Sequence, residues 1–371
     1  MTSSVPILRI LIDPYLHHAI RAKAARALAS MSAMTIDSIG VRHLLMVYQQ
    51  KFCVPVADNS GSAYSPLPLA FVEPQDYYLH AAMIQALCMV TSSNLDLMHE
   101  LRELLLLHLA SATLEHAPRT LAPTYLIATM IRGLGILLLP QVGESPPPKA
   151  MAAKAQKEIQ RWLHRDAMLL SYHNAITVAC LEAMGQWMLV DLIDADVELF
   201  LTYSAVGNFE HVRAEAFRNL ILLGLDSIQI GKYLLFTLQH DPSRTIQRHV
   251  LDALTALARI YYHAAVQEEY ATSAAPSPDP LSMLQGTTTQ EIMVTPRMRW
   301  SQLIQKSRVR DPGLTWRTFA QRKEVTDVFW HLLVVDWTYE TALRLTLLEL
   351  CRYTYDSKDP GRVDFVTQLA P

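Results

Sequence analysis

"FEHVRAEAFRNL", residues 209–220, decides the fold. Val212, Ala216 and Leu220 lie four apart, so they stack on one face of a helix. Arg213 stands beside that stripe rather than opposite it, which puts a cation at the margin of a core. An arginine stem covers apolar surface while its head reaches a preceding turn or an aspartate of a neighbouring unit. Arg213 is therefore read as structural, with a partner-binding role as the alternative.

The same arrangement recurs: an apolar residue, arginine or another polar residue, then small or apolar residues four and eight positions after the first. It appears as Ile20, Arg21, Ala24, Leu28 and again as Ile176, Thr177, Cys180, Met184. Ile246, Gln247, Val250, Leu254 form another copy, with Gln247 in the arginine place. Weaker copies are Leu79, His80, Met83, Leu87 and Ala342, Leu343, Thr346, Leu350. The anchors Ile176, Val212 and Ile246 lie 36 and 34 residues apart. That spacing fits a helical-hairpin repeat, a little under the roughly 40–47 residues of HEAT and armadillo units. The expected fold is all-α, a HEAT- or armadillo-like α-solenoid of stacked helical hairpins. Asp13-Pro14 and Asp241-Pro242 precede two anchors, as an N-cap and first helical residue would.

Composition agrees. The 371 residues exceed one ordinary core, 51% of them are apolar and 18% charged, and mean hydropathy is +0.13. Leucine and alanine dominate while glycines number 12, which favours helices over sheet. The net charge of −3 gives no global field for nucleic acid or an anionic membrane. Cys53, Cys88, Cys180 and Cys351 are too scattered for a zinc framework or disulfide scaffold and read as buried reduced thiols. No signal peptide is visible, and the most apolar run, 125–140, is cut by Arg132 and stopped by Pro140.

The predicted organisation is a repeat array over 1–265 with proline-rich loops at 54–74 and 140–150. A disordered insertion follows at 266–298, then terminal helical repeats at 299–356 and a tail at 357–371.

No catalytic centre is expected. "HELRE" (99–103) has Glu103 where a zinc-peptidase helix needs its second histidine, so it reads as a solvated helix face. "GLGILL" (133–138) lacks a third glycine and a preceding strand, so it is no phosphate loop. The histidine pairs are not at ligand spacing, no nucleophile elbow occurs, and no cofactor or metal is predicted. One local charge feature stands out over 297–323. Arg297, Arg299, Lys306, Arg308, Arg310, Arg317, Arg322 and Lys323 face Asp311 alone, with Trp300, Trp316 and Phe319 interleaved. Such a stripe suits phosphates of DNA or an acidic protein tail; a solvated face beside a linker is the plainer reading.

Several strings together resemble a known family. "MLLSYHNAITVACLEAM", "LFLTYSAVGNFEHVRAEAFRNLI" and "LLFTLQHDPSRTIQRHVLDAL" occur in order, after "HHAIRAKAARALASM", "LLMVYQQKFC" and "YYLHAAMIQAL". They are similar to the HEAT-like C-terminal region of the TFIID subunit 2 family, large TBP-associated factors of the general transcription machinery. The resemblance runs from about 10 to 350 and is strongest over 168–254. It implies a nuclear, non-enzymatic scaffold that holds other TFIID subunits, notably the tail of subunit 8 and subunit 1, and supports promoter engagement for RNA polymerase II. It also implies that an aminopeptidase-like half precedes this region in the family, so that the chain is a C-terminal piece. The alternatives are the helical C-terminal domain of an active zinc aminopeptidase, or a transport or adaptor HEAT scaffold.

Overall fold

The computed structural model describes residues 4–31, 39–55, 64–90, 94–114, 121–140, 149–273, 316 and 318–355, with only the backbone from 263 to 273. Among these residues the only strands are a short antiparallel pair, β1 (Cys53–Pro55) and β2 (Tyr64–Pro66), with Cys53 opposite Pro66. The rest is helix and connection. No described helix is long and apolar enough to cross a membrane.

The chain divides into two compact units. The first comprises Met1–Met188 with Leu192–Asp194. It holds α1 (Ser4–Ile12), α2 (His18–Ser30), α3 (Ile39–Phe52), α4 (Pro74–Cys88), α5 (Leu95–Ser111), α6 (Thr124–Leu137), α7 (Lys149–Met168) and α8 (Ala175–Leu189). Within it α2 packs on α4, and α4 on α6, while α6 meets α8 where the glycine Gly135 lies against Ala183. The odd-numbered helices flank that row: α1 touches α3, and α5 touches α7.

The second unit, Leu189–Asp191 with Ala195–Pro371, repeats the scheme. It holds α9 (Val197–Ser204), α10 (Glu210–Gly224), α11 (Ile228–His240), α12 (Arg244–Ser273), α13 (Lys323–His331), a π-helical turn (Leu332–Asp336) and α14 (Thr341–Tyr355). Here α10 packs on α12 and α12 on α14, with α11 against α13 on the flank. Each unit is thus built of helical pairs, every even helix contacting the next even helix. This is the stacked-hairpin architecture of a helical repeat.

All six copies of the sequence pattern fall on even helices: α2, α4, α8, α10, α12 and α14. Ile176, Val212, Arg213, Ala216, Leu220, Ile246 and Leu254 are all buried. Burying one such leucine is worth roughly 1.5–3 kcal/mol. Ile20 is the exception and is 49% exposed. The packing of α2 is carried by Arg21, Ala22, Ala24, Ala25, Leu28 and Ala29. Ile20 lies on the other side, in line with exposed Lys23, because residues three apart share a helical face. Ala342 is likewise exposed, while Leu343 and Leu350 carry the burial of α14.

Element boundaries revise further expectations. Asp13 and Asp241 do not cap the following helices. Their carboxylates accept from the backbone two residues on, Tyr15 N at 2.9 Å and Ser243 N at 2.9 Å, so each folds the corner before its helix. His17 accepts from Ala19 N at the start of α2, and Ser243 Oγ from Ile246 N at the start of α12. The expected loop at 54–74 contains β2 and part of β1, since Leu67 N donates to Phe52 O at 2.9 Å and continues their pairing. Of the expected loop at 140–150, residues 141–148 lie outside the described residues, and α7 already begins at Lys149. The predicted insertion at 266–298 overlaps the end of α12 to Ser273 and otherwise lies outside the described residues, as does the tail at 357–371.

Candidate functional site

Three of the side chains that the pattern places second in a copy, Arg21, Arg213 and Gln247, share one task. A helix leaves its last carbonyls without intrahelical donors. Arg21 Nε donates to Leu11 O at the end of α1, at 2.9 Å. Arg213 Nε donates to Ser204 O at the end of α9, at 3.0 Å. Gln247 Nε2 donates to Asp241 O just after α11, at 3.1 Å, so glutamine performs the arginine's task with a shorter reach. In each case the first helix of a pair is closed by the second. Thr177 does the converse. Its backbone N, at 2.9 Å, and its hydroxyl both donate to the fully buried carboxylate of Asp166 near the end of α7.

Arg213 goes further. Its guanidinium pairs through both terminal nitrogens with the carboxylate of Asp241, and both side chains are buried. Bidentate geometry and shared hydrogen bonds offset the cost of taking the two charges out of water. The arginine in "FEHVRAEAFRNL" therefore ties α9 and α11 to α10, which is the structural role read from the sequence. Other helix ends are closed in the same manner: Arg102 Nε reaches Leu137 O at 2.8 Å, and Trp187 Nε1 reaches Gly135 O at 3.0 Å.

A second buried polar cluster escaped the sequence reading. Tyr48 on α3 lies between His80 on α4 and His108 on α5, its hydroxyl 2.8 Å and 3.1 Å from their Nε2 atoms. His108 Nδ1 is 2.9 Å from Leu104 O and so carries a proton. Its Nε2 then accepts from Tyr48, and the Tyr48 oxygen accepts from His80 Nε2–H. Phe52 stacks on His80 with ring centroids 3.9 Å apart. Burial lowers the pKa of both histidines, that of His80 well below the ordinary value, helped by His108 and Lys51. The three residues are 28 or more apart in sequence, so no spacing announces them; only His80 occupied a repeat position.

The motifs that might suggest chemistry resolve into structure. His99 and Glu100 are exposed, and Glu103 pairs with Lys154 at 3.0 Å. Gly133 and Gly135 mark close helix approaches: a Cβ on Gly133 would stand 2.2 Å from Cys88 Sγ. None of the four cysteines forms a disulfide, all are buried, and burial pushes the thiols of Cys53 and Cys351 up to about 11 and 12. Such thiols stay protonated and unreactive. Among the described residues no three His, Cys, Asp or Glu side chains gather as metal ligands.

Of the basic segment, Arg297, Arg299, Lys306, Arg308, Arg310 and Arg317 lie outside the described residues, as does Trp300. Arg322 and Lys323 stand at the start of α13, Lys323 exposed and Arg322 half-buried over the ring of Phe319 at 5.8 Å. Trp316 and Phe319, which interleave with the cations in sequence, are buried and belong to the core of the second unit.

Comparison with known proteins fits this architecture. A family model described as "TAF2-like, TPR repeats" matches residues 6–270. The repeat class it names is TPR rather than HEAT or armadillo, and the 36- and 34-residue anchor spacings lie close to the roughly 34-residue TPR period. Transcription initiation factor TFIID subunit 2 of Schizosaccharomyces pombe is 28% identical over 268 residues, 69% of this chain and 22% of that protein. The proteins of the same name from Gallus gallus and Danio rerio are 34% and 33% identical over 101 and 104 residues. Those stretches cover 27% and 26% of this chain, and 9% and 8% of the relatives. The chain thus corresponds to only a fraction of the length of each relative. With a family match across most of its helical repeats, the chain belongs to the TAF2-like, TPR-repeat family.

Proposed function

We propose that this chain is a non-enzymatic scaffold segment of TFIID, acting in the nucleus. It holds other TFIID subunits, the tail of subunit 8 and subunit 1 among them, and supports engagement of the core promoter for RNA polymerase II initiation. The observation that carries this reading is the family match over residues 6–270, borne by relatives named as TFIID subunit 2. The chemistry of the fold supports it. The described buried polar groups discussed above are spent on helix ends and on one another, as befits a framework that presents surfaces.

The charged contact of this scaffold is assigned to the segment 297–323. Its cations would bind phosphates or an acidic subunit tail by charge, without base stacking by Trp316 or Phe319, which are buried. Changing Arg308, Arg310, Arg317 and Arg322 together to Glu tests the assignment on the full chain, with promoter DNA and recombinant subunits 1 and 8 as ligands. Loss of DNA retention alone marks a phosphate contact, and loss of a subunit alone marks an acidic tail. Unchanged retention of all ligands at low salt contradicts a binding role for the segment.

A further inference from the structure

The corner between α7 and α8 exposes an apolar run. Met168, Leu169, Leu170 and Tyr172 are 89%, 65%, 70% and 66% exposed, consecutive but for Ser171. Scattered exposed apolar residues are ordinary, but four in one corner are not. Half-exposed Tyr125, at the start of α6, meets Tyr172 edge-on at 6.3 Å and widens the patch.

This corner is held in place. Asp166, fully buried, accepts from Ser171 N at 2.8 Å as well as from Thr177, clamping the turn to both helices. Ser171 O accepts from Asn174 N at 2.9 Å, and Ser171 Oγ from Ile176 N at 3.3 Å. His173 and Asn174 adopt left-handed backbone conformations, with φ of 54° and 50°. Two successive non-glycine residues there are uncommon and persist only where their surroundings impose them. The apolar side chains are thus displayed on a preorganised turn, which reduces the ordering cost of binding.

The approach to the corner is basic. Lys157, His164 and Arg165 lie on the last turns of α7, Lys157 and His164 exposed and Arg165 half-buried against the ring of Trp162 at 5.4 Å. Residues spaced by three, four and seven share a helical face, so Lys157 and His164 lead along one side to Met168.

We propose that this corner of the first unit docks an acidic amphipathic helix of a protein partner, its apolar residues seated on Met168, Leu169, Leu170 and Tyr172 and its carboxylates facing the cations of α7. Charge complementarity selects this occupant. A nucleic-acid backbone has no use for four exposed apolar side chains, and a basic helix is repelled. The inference deepens the scaffold reading by giving one surface and the chemistry of its partner.

Two displayed libraries of 16-residue helices test it on the full chain. Both carry Leu, Phe or Trp at i, i+3, i+4 and i+7. One fills the remaining positions with Asp and Glu, the other with Lys and Arg. The acidic library is expected to enrich at least tenfold over the basic one. Synthetic peptides from it should bind at least tenfold more weakly to Leu169→Ser/Leu170→Ser and to Lys157→Glu/His164→Glu. Both variants change surface groups and should keep the wild-type Tm. Equal enrichment of the libraries overturns the proposal, as does undiminished binding to the Ser variant. Preferential binding to phosphatidylserine vesicles through the same residues overturns it in favour of a lipid surface. Retention of TFIID subunits despite loss of peptide binding sinks the corner alone, whereas peptide binding without any TFIID subunit sinks the scaffold reading alone.

Discussion

Arg213 shows how much one side chain decides in this fold. It closes the end of α9 and pairs with buried Asp241, whose carboxylate also shapes the corner before α12. Removing the arginine leaves that carboxylate buried without its partner, an outcome that costs about 3–5 kcal/mol. Arg213→Leu is therefore expected to lower unfolding stability by that order, as measured by denaturant titration. The double change Arg213→Leu/Asp241→Leu should recover part of the loss, because no charge is then stranded. A loss under about 1 kcal/mol in the single variant would show that the pair does not tie the helices together. The role of Arg213 was legible because a cation beside an apolar stripe needs a nearby partner. Its partners were not, since the sequence does not say which carbonyl or carboxylate the fold brings within reach. The exposure of Ile20 was illegible for a related reason: pattern matching fixes a face only to within a residue, and the alanines of α2 move the buried side by one position.

Helices α3, α4 and α5 meet at Tyr48, His80 and His108, and this gives the first unit a pH dependence. Both histidines have pKa values lowered by burial from the ordinary 6.5. Below pH 6.5 the unfolded chain takes up protons that the folded cluster refuses, so stability is full above that value and falls as pH drops. The limiting slope for two such histidines is about 2.7 kcal/mol per pH unit. Amide hydrogen exchange in α4 and α5 should accelerate between pH 7 and pH 5 after correction for intrinsic rates. The combined variant Tyr48→Phe/His80→Phe/His108→Leu should abolish this effect; protection unchanged down to pH 5 in the parent would contradict it. The contact of α6 with α4 makes a different demand. A side chain at Gly133 meets Cys88 Sγ at 2.2 Å, so Gly133→Val must push the helices apart. Overpacking of this kind costs about 1–3 kcal/mol, and a Tm equal to that of the parent would show that the helices yield freely. Neither feature was readable as such. The glycines of "GLGILL" do not announce their packing use, which depends on which helices become neighbours. The even helix α6 carries no copy of the pattern, since every buried position there is apolar or glycine, with no polar residue to mark the register.

At the scale of the whole chain, the all-α repeat architecture was the most legible property, because an apolar period of four combined with a recurrence near 34–36 residues has few other solutions. The division near residues 188–195 was not, since it falls inside the stretch read as one array and breaks no periodicity. The scaffold reading reaches beyond this chain to an assembly, and there it is open to a direct test. The full chain, tagged and expressed in its own cells, should be purified from nuclear extract at 0.3 M salt and its stoichiometric partners identified by mass spectrometry. TBP-associated subunits of TFIID retained at near-equal amounts are the predicted result. Recovery of the chain without any TFIID subunit, or mainly from a cytoplasmic or vesicular fraction, would contradict the account.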